Sequence, residues 1–146
     1  MIETSNIMIK LADTYSMNNE RDAFIFMFVQ FGGLELLSNK ELITKNLIFI
    51  KALMNLGFFY SKYLHSGWKY ILNMAVMLVY YGTKGAGAGD VKNKTLGTGK
   101  KTIEEHNSAL IYRNINAGDV DRIFIISAEL DENSIMDFFS SLCQMA

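Results

Sequence analysis

The chain has 146 residues, 50% hydrophobic and 20% charged, with a formal net charge of −1. That is enough for one domain with one substantial core, and so even a charge balance excludes a whole-chain field aimed at nucleic acid or an acidic membrane. A single cysteine, Cys143, excludes an internal disulfide framework and fits a reducing compartment, while the absence of proline suits long helices and argues against a multi-turn β architecture.

Met8, Leu11, Ala12 and Tyr15 mark a first short helix. Asn18 and Asn19 are natural caps for a second, with Glu20 and Asp22 favourable in its first turn. Its apolar stripe is Phe24, Met27, Phe28 and Phe31, and Gly32-Gly33 ends it. In a third helix Ile43, Leu47, Ile50 and Met54 recur at helical spacing, widened by Phe49, Leu53 and Leu56, while Lys45, Lys51 and Asn55 stay off the stripe. Gly57 is expected to stop it. Ser66 is placed to cap a fourth helix, starting at Gly67 or Trp68, the only tryptophan.

The fourth helix is apolar nearly all round. Trp68, Ile71, Leu72, Ala75, Leu78 and Val79 form one stripe, and Tyr70, Met74, Met77 and Tyr81 form a second. The remaining line, Lys69, Asn73, Val76 and Tyr80, is polar only in its first half. Such a helix is buried on several sides or lies against a partner, so the second stripe is a candidate partner or membrane-touching surface. The run from Ile71 to Tyr81 is too short to span a bilayer, which needs about 20 residues, and no charged start followed by an apolar core marks a signal peptide.

Residues 83–117 open on a glycine- and lysine-rich run with few apolar side chains. Such a run cannot bury enough surface to offset its backbone entropy, and the whole span is expected to be a flexible loop within a single domain covering 1–146. Ile103 to Ile115 is more mixed, with room for a marginal helical turn. Lys84, Lys92, Lys94, Lys100 and Lys101 give the loop a positive bias and are candidate contacts to an anionic membrane, each worth about 1 kcal/mol; a solvated linker is the plainer reading. Beyond Gly118, Asp119 is expected to cap a helix carrying Val120, Ile123 and Phe124. Asp131 caps the last, where Ile135, Phe138, Phe139 and Leu142 make the buried stripe, with Ser134, Asp137, Ser141 and Gln144 opposite. The expected fold is all-α: about six helices stacked as in an armadillo- or HEAT-like α-solenoid. Both chain ends fall within helical patterns, as expected of a piece of a longer protein.

No catalytic constellation is visible. A phosphate-cradling loop needs G-x-x-x-x-G-K-[ST]; Gly99-Lys100 is followed by Lys101, and Lys94 stands where the first glycine belongs. Gly85, Gly87 and Gly89 fail the dinucleotide pattern, because Asp90 replaces its third glycine. Asn93-Lys94-Thr95 is formally a glycosylation acceptor, meaningless in a cytosolic chain. His65 and His106 have no second ligand at metal spacing, Cys143 reads as a small buried hydrophobe, and Glu104-Glu105 has no apolar surroundings to raise its pKa. Neither a metal nor a cofactor is implied.

Two segments resemble the large Arf guanine-nucleotide exchange factors. Asp119-Val-Asp121-Arg122-Ile-Phe124, Ser127, Leu130-Asp-Glu-Asn-Ser-Ile-Met-Asp137-Phe138 and Leu142-Cys143 are similar to V-D-R-I-F-x-x-S-x-x-L-D-x-x-A-I-x-D-F-x-x-x-L-C. Glu20-Arg21-Asp22-Ala23-Phe24, Lys45-Asn46, Ile50-Lys51, Leu53, Tyr63-Leu64, Trp68 and Ile71-Leu72 are similar to the stretch that precedes it in the family. The resemblance points to the first "homology downstream" (HDS) region, which follows the catalytic Sec-seven domain, and the Glu20 to Phe24 stretch points to the BIG/Sec-seven branch. It implies a non-catalytic regulatory domain, because the family's invading glutamate belongs to the exchange domain. It also implies GTP-bound Arf, an anionic membrane and the parent's other domains as partners, and a cytoplasmic location on Golgi and endosomal membranes. The motif residues carried over are Arg21, Asp22, Phe24, Lys51, Trp68, Asp121, Arg122, Phe124, Leu130, Asp137 and Phe138, mainly as structural positions. Two departures stand out: Gly67 replaces the family's serine before the tryptophan, and Ala75 to Val79 replaces I-S-x-L-E, making that helix end more apolar.

Overall fold

In the computed structural model of the protein, residues 2–89 and 102–145 are described. Among them every regular element is helical: α1 (Ile2–Thr14), α2 (Asn18–Gly32), α3 (Thr44–Phe59), α4 (Trp68–Gly89), α5 (Ile103–Asn114), α6 (Ala117–Ser127) and α7 (Glu132–Met145). Single 3-10 turns stand at Leu34–Leu36, Ser61–Tyr63 and His65–Gly67. Helix α4 is the axis of the packing and touches α2, α3, α5, α6 and α7.

The two central helices follow their sequence pattern, except that Ile43 of the α3 stripe and Val79 of the α4 stripe are exposed. In α3, Leu47, Phe49, Ile50, Leu53, Met54 and Leu56 are buried; Ile43, just before the helix, is exposed. In α4, Trp68, Ile71, Leu72, Ala75 and Leu78 are buried, while Val76, Val79 and Tyr80 face outward. Trp68 is fully enclosed. Its ring meets Phe138 of α7 edge-on, with centroids 5.0 Å apart and an interplanar angle of 90°, a favoured aromatic geometry. Gly57 does not end α3. It lies inside the helix, where an added Cβ would stand 3.1 Å from Ile71 Cγ2 of α4. Gly33 does end α2, in the left-handed conformation at φ 68°.

The outer helices are turned relative to their apolar stripes. Helix α1 buries Ser5, Asn6, Ile9 and Ala12 and leaves Met8, Leu11 and Tyr15 exposed. Helix α2 buries Arg21, Ile25, Phe28, Val29 and Gly32; Phe24 and Met27 are half-buried, and the exposed Phe31 stacks on Phe49 at 5.0 Å. Helix α7 buries Ser134, Phe138 and Ser141, with Phe139 and Leu142 outward and Cys143 exposed rather than buried. Small side chains let helices approach closely, so fit at the contact decides the inward face over hydrophobic count.

Caps differ as well. The residue before α2 is Met17, which makes no side-chain cap bond; Asn18 Oδ1 instead accepts from Arg21 Nη1. Asn116, not Asp119, caps α6, its Oδ1 accepting from the Gly118 N–H at 3.0 Å. Asp131 caps α7 as expected, its Oδ1 accepting from the Ser134 N–H at 2.9 Å.

The expected loop over 83–117 is largely helix. Residues 83–89 continue α4, and α5 occupies 103–114; residues 90–101, which include Lys92, Lys94 and Lys100, and Lys101 among them, lie outside the described residues. Gly85 shows why the composition misleads: a Cβ there would stand 2.4 Å from the Ser108 carbonyl oxygen, so the glycine admits the α5 backbone onto α4. Helix α5 starts with a capping box. The Glu105 N–H donates to Thr102 Oγ1 at 3.2 Å and the Thr102 N–H to Glu105 Oε2 at 3.0 Å. Asn107, with no exposed surface, fixes the α2–α3 connection to α5. Its Oδ1 accepts from the Leu42 N–H at 2.7 Å, and its Nδ2 donates to the carbonyls of Leu37 at 2.7 Å and Lys40 at 2.8 Å.

Two outcomes follow from these contacts. Replacing Asn107 by Ala strands a backbone N–H and two carbonyls, and costs about 3 kcal/mol in urea unfolding. Hydrogen bonds from Ser134, chiefly from its backbone N–H, hold the Asp131 carboxyl below the usual 3.8. A depressed folded-state value stabilises fully above 3.8, and that contribution is lost as the pH falls through the folded one. Acid titration of the Asp131→Asn variant therefore loses this part of the wild-type stability decline.

Candidate functional site

The motif residues fall into two groups, those spent inside the fold and those left on its surface. Arg21 belongs to the first. Its side chain is 2% exposed, and it donates from Nε and Nη2 to Asp22 Oδ1 at 3.0 and 2.9 Å, from Nη1 to Asn18 at 2.8 Å and from Nη2 to Ser66 Oγ at 3.0 Å. Ser66 donates in turn to Asp22 Oδ2 at 2.6 Å. This satisfies the buried guanidinium and ties α2 to the turn before α4. Ser66 is thus a partner of α2, where sequence had made it a cap. Asp137 sits 2.6 Å from His65 Nδ1. Trp68 and Phe138 are core, and Phe124, 43% exposed, reaches Phe138 at 6.3 Å. Leu130 and the half-buried Phe24 pack against the core.

The surface group lines the two sides of α6. That helix buries Val120 and Ile123 and turns Asp121, Arg122 and Ile125 outward. On one side, between α4, α5 and α6, is an open cleft of about 520 Å³ walled by Leu78, Val79, Ala86, Ile111, Val120 and Asp121. On the other, along α3, run two depressions that meet at Phe58. One, of about 380 Å³, includes Arg122, Ile125 and Glu129; the other, of about 260 Å³, includes Lys51, Asn55 and Asp119. The Arg122 guanidinium lies 4.8 Å from the Phe58 ring centroid, a cation–π contact that leaves its donors free to reach outward. Among the described residues Lys51, Asp121 and Arg122 form no ion pair within the chain.

Two expected surfaces are altered. Of the second α4 stripe, Met74 and Tyr81 are buried and Tyr70 and Met77 half-buried; Tyr70 and Met77 edge a shallow depression with Val29 and Leu34. Burial, and then the nearby Glu104 carboxylate, push the Tyr81 hydroxyl above its usual pKa. Lys84 is engaged within the fold. It hydrogen-bonds Glu104 of α5 and lies 4.4 Å over the Tyr80 ring, and the Glu104 bond raises its pKa above the ordinary lysine value.

Sequence spacing missed the His65 cluster, because its carboxylates, Asp13 and Asp137, come from the first and last helices. Both ring nitrogens are occupied by carboxylates, so His65 is not placed to take a proton from Ser66. Among the described residues no group of three or more His, Cys, Asp or Glu is arranged to hold a metal ion, and no helix is long and apolar enough to cross a membrane. No protein-family model, curated protein or solved structure matches the chain.

Replacing Arg21 by Lys exchanges a guanidinium fork that makes four hydrogen bonds for one ammonium. The expected loss is about 2 kcal/mol in urea unfolding, with Asp22 and Ser66 left without their fixed donor.

Proposed function

We propose that the chain is a non-catalytic regulatory domain of a large Arf guanine-nucleotide exchange factor, the first HDS region, and that it docks GTP-bound Arf along α6 at Golgi or endosomal membranes. One observation carries the reading beyond the motif resemblance. Arg21, Asp22 and Asp137 are consumed by internal contacts, whereas among the described residues Lys51, Asp121 and Arg122 make no internal ion pair, and they line the clefts beside α6. Charged groups flanking exposed apolar side chains such as Ile125 suit a protein partner better than a small ligand.

Support for the rest of the reading is coarser. All-helical architecture, with consecutive helices α1 to α5 packed in turn, fits a solenoid-like stack. Membrane contact rests on the sequence charges at Lys92, Lys94, Lys100 and Lys101. The exposed ridge of Met136, Phe139 and Leu142 on α7 offers a place for the parent protein's other domains.

Liposome flotation tests the reading. The chain is expected to float with vesicles carrying lipid-anchored GTP-bound Arf more than with bare anionic vesicles or GDP-bound Arf. Arg122→Glu combined with Lys51→Glu is expected to lower that recruitment about tenfold while leaving the thermal midpoint near wild type. Equal flotation with and without Arf removes the proposal and leaves a structural helical scaffold.

A further inference from the structure

His65 is placed where a histidine can do one thing well. Its Nδ1 lies 2.6 Å from Asp137 Oδ2 of α7, and its Nε2 lies 2.8 Å from Asp13 Oδ1 of α1. A neutral imidazole carries one N–H and one lone pair, so it can donate to only one carboxylate. Both contacts are hydrogen bonds only when both nitrogens are protonated. The residue also sits in the left-handed region at φ 43°, a conformation that costs a non-glycine residue energy and persists where surrounding contacts enforce it. With 38% of its side chain exposed, the ring can exchange protons with solvent.

We propose that His65 is a proton-dependent bridge between the first and last helices, and that loss of one ring proton releases the α1 end while α7 stays attached. The asymmetry follows from the neighbouring charges. Asp13 has a second basic group within reach, Arg21 Nη1 at 4.0 Å, whereas among the described residues Asp137 is paired with His65 alone. The neutral ring that keeps its proton on Nδ1 still donates to Asp137 and turns a lone pair toward Asp13. Asp13 stands in the last turn of α1, where the helix dipole disfavours a carboxylate, so that contact is the weaker one once the charge is gone. The remaining charges near the turn are accounted for. Asp22 is held by Arg21 and Ser66, and Lys62 and Lys10 lie over the Tyr63 ring at 5.0 and 5.8 Å. The contact released lies at the end of α1 beside the α1–α2 turn, where Ser16 has φ 56°, while Ile9 and Ala12 stay buried.

The sign is fixed by the geometry. The folded, bridged state holds the second proton, so the bridge is complete at low pH and is lost once that proton leaves at higher pH. Imidazole nitrogen NMR and amide hydrogen exchange on the whole chain test this. At the low-pH end both ring nitrogens of His65 are expected to report N–H. At the high-pH end α1 amides, corrected for intrinsic exchange, are expected to lose about tenfold in protection, as for one charge-assisted hydrogen bond, with α7 amides little changed. Asp13→Asn replaces the carboxylate by an amide that can donate to the bare ring nitrogen, so α1 protection in that variant is expected to be independent of pH. His106→Gln, which removes the other histidine, should leave the wild-type response intact. Three results would overturn the proposal: only one ring nitrogen protonated throughout, α1 protection unchanged across the range, or the same loss in Asp13→Asn.

Discussion

Everything in this fold is arranged around the burial of α4. A helix that is apolar on more than one face cannot be left in water, and each further face requires another helix. Trp68, Ile71, Leu72, Met74, Ala75, Leu78 and Tyr81 are all within 4% of complete burial. The partners approach through small residues. Gly57 admits Ile71 from the α3 side, Gly67 makes room for Ile25 of α2, and Gly85 admits the α5 backbone. A Cβ at Gly67 would stand 2.4 Å from Ile25 Cδ1. Along Ala75 to Val79, Ala75 and Leu78 are buried while Val76 and Val79 face outward.

Hydrophobic burial alone does not fix how helices are rotated about their axes, and two polar clusters supply that specification. Arg21 with Asp22, Asn18 and Ser66 sets α2 against the turn before α4, and Asn107 sets the α2–α3 connection against α5. Buried polar groups lose more when misplaced than apolar ones, because an unpaired donor or acceptor carries its full desolvation cost. These clusters therefore penalise registers that the apolar contacts would tolerate. The Trp68 indole N–H is an exception: it is buried without a hydrogen-bond partner, so the ring is held by its fit against Phe138 and the core.

How much of this the sequence declares depends on range. The α3 pattern and the principal α4 stripe were legible because their neighbours surround them, and apart from Ile43 and Val79 the large apolar side chains on those faces are buried. Helices α1, α2 and α7 touch the core along one side, and there Ser5, Gly32, Ser134 and Ser141 turned inward in preference to larger residues. Periodicity of hydrophobicity cannot foresee that choice, because it follows from the shape of the opposing helix. Helix α5 was hidden by the glycines before it, although Thr102 and Glu105 form a capping box that marks its start. In the candidate site, motif resemblance named Lys51, Asp121 and Arg122, but nothing local separates them from Arg21 and Asp22. That division appears only once tertiary contacts show which charges have partners.

The same logic explains why α6, the shortest of the seven helices described, is the one that offers a surface. It commits only Val120 and Ile123 to the core and leaves Phe124 and Ile125 exposed. Its remaining face lies between clefts toward α4 and α5 on one side and toward α3 on the other. This helix presents Arg122 on the Phe58 ring beside exposed Ile125, with the Arg122 guanidinium donors facing outward. A charge that makes no internal ion pair among the described residues is free to be chosen by a partner. A charge like that of Arg21, enclosed by three partners, is answerable first to stability, so variation at Arg122 should alter binding and variation at Arg21 should alter folding.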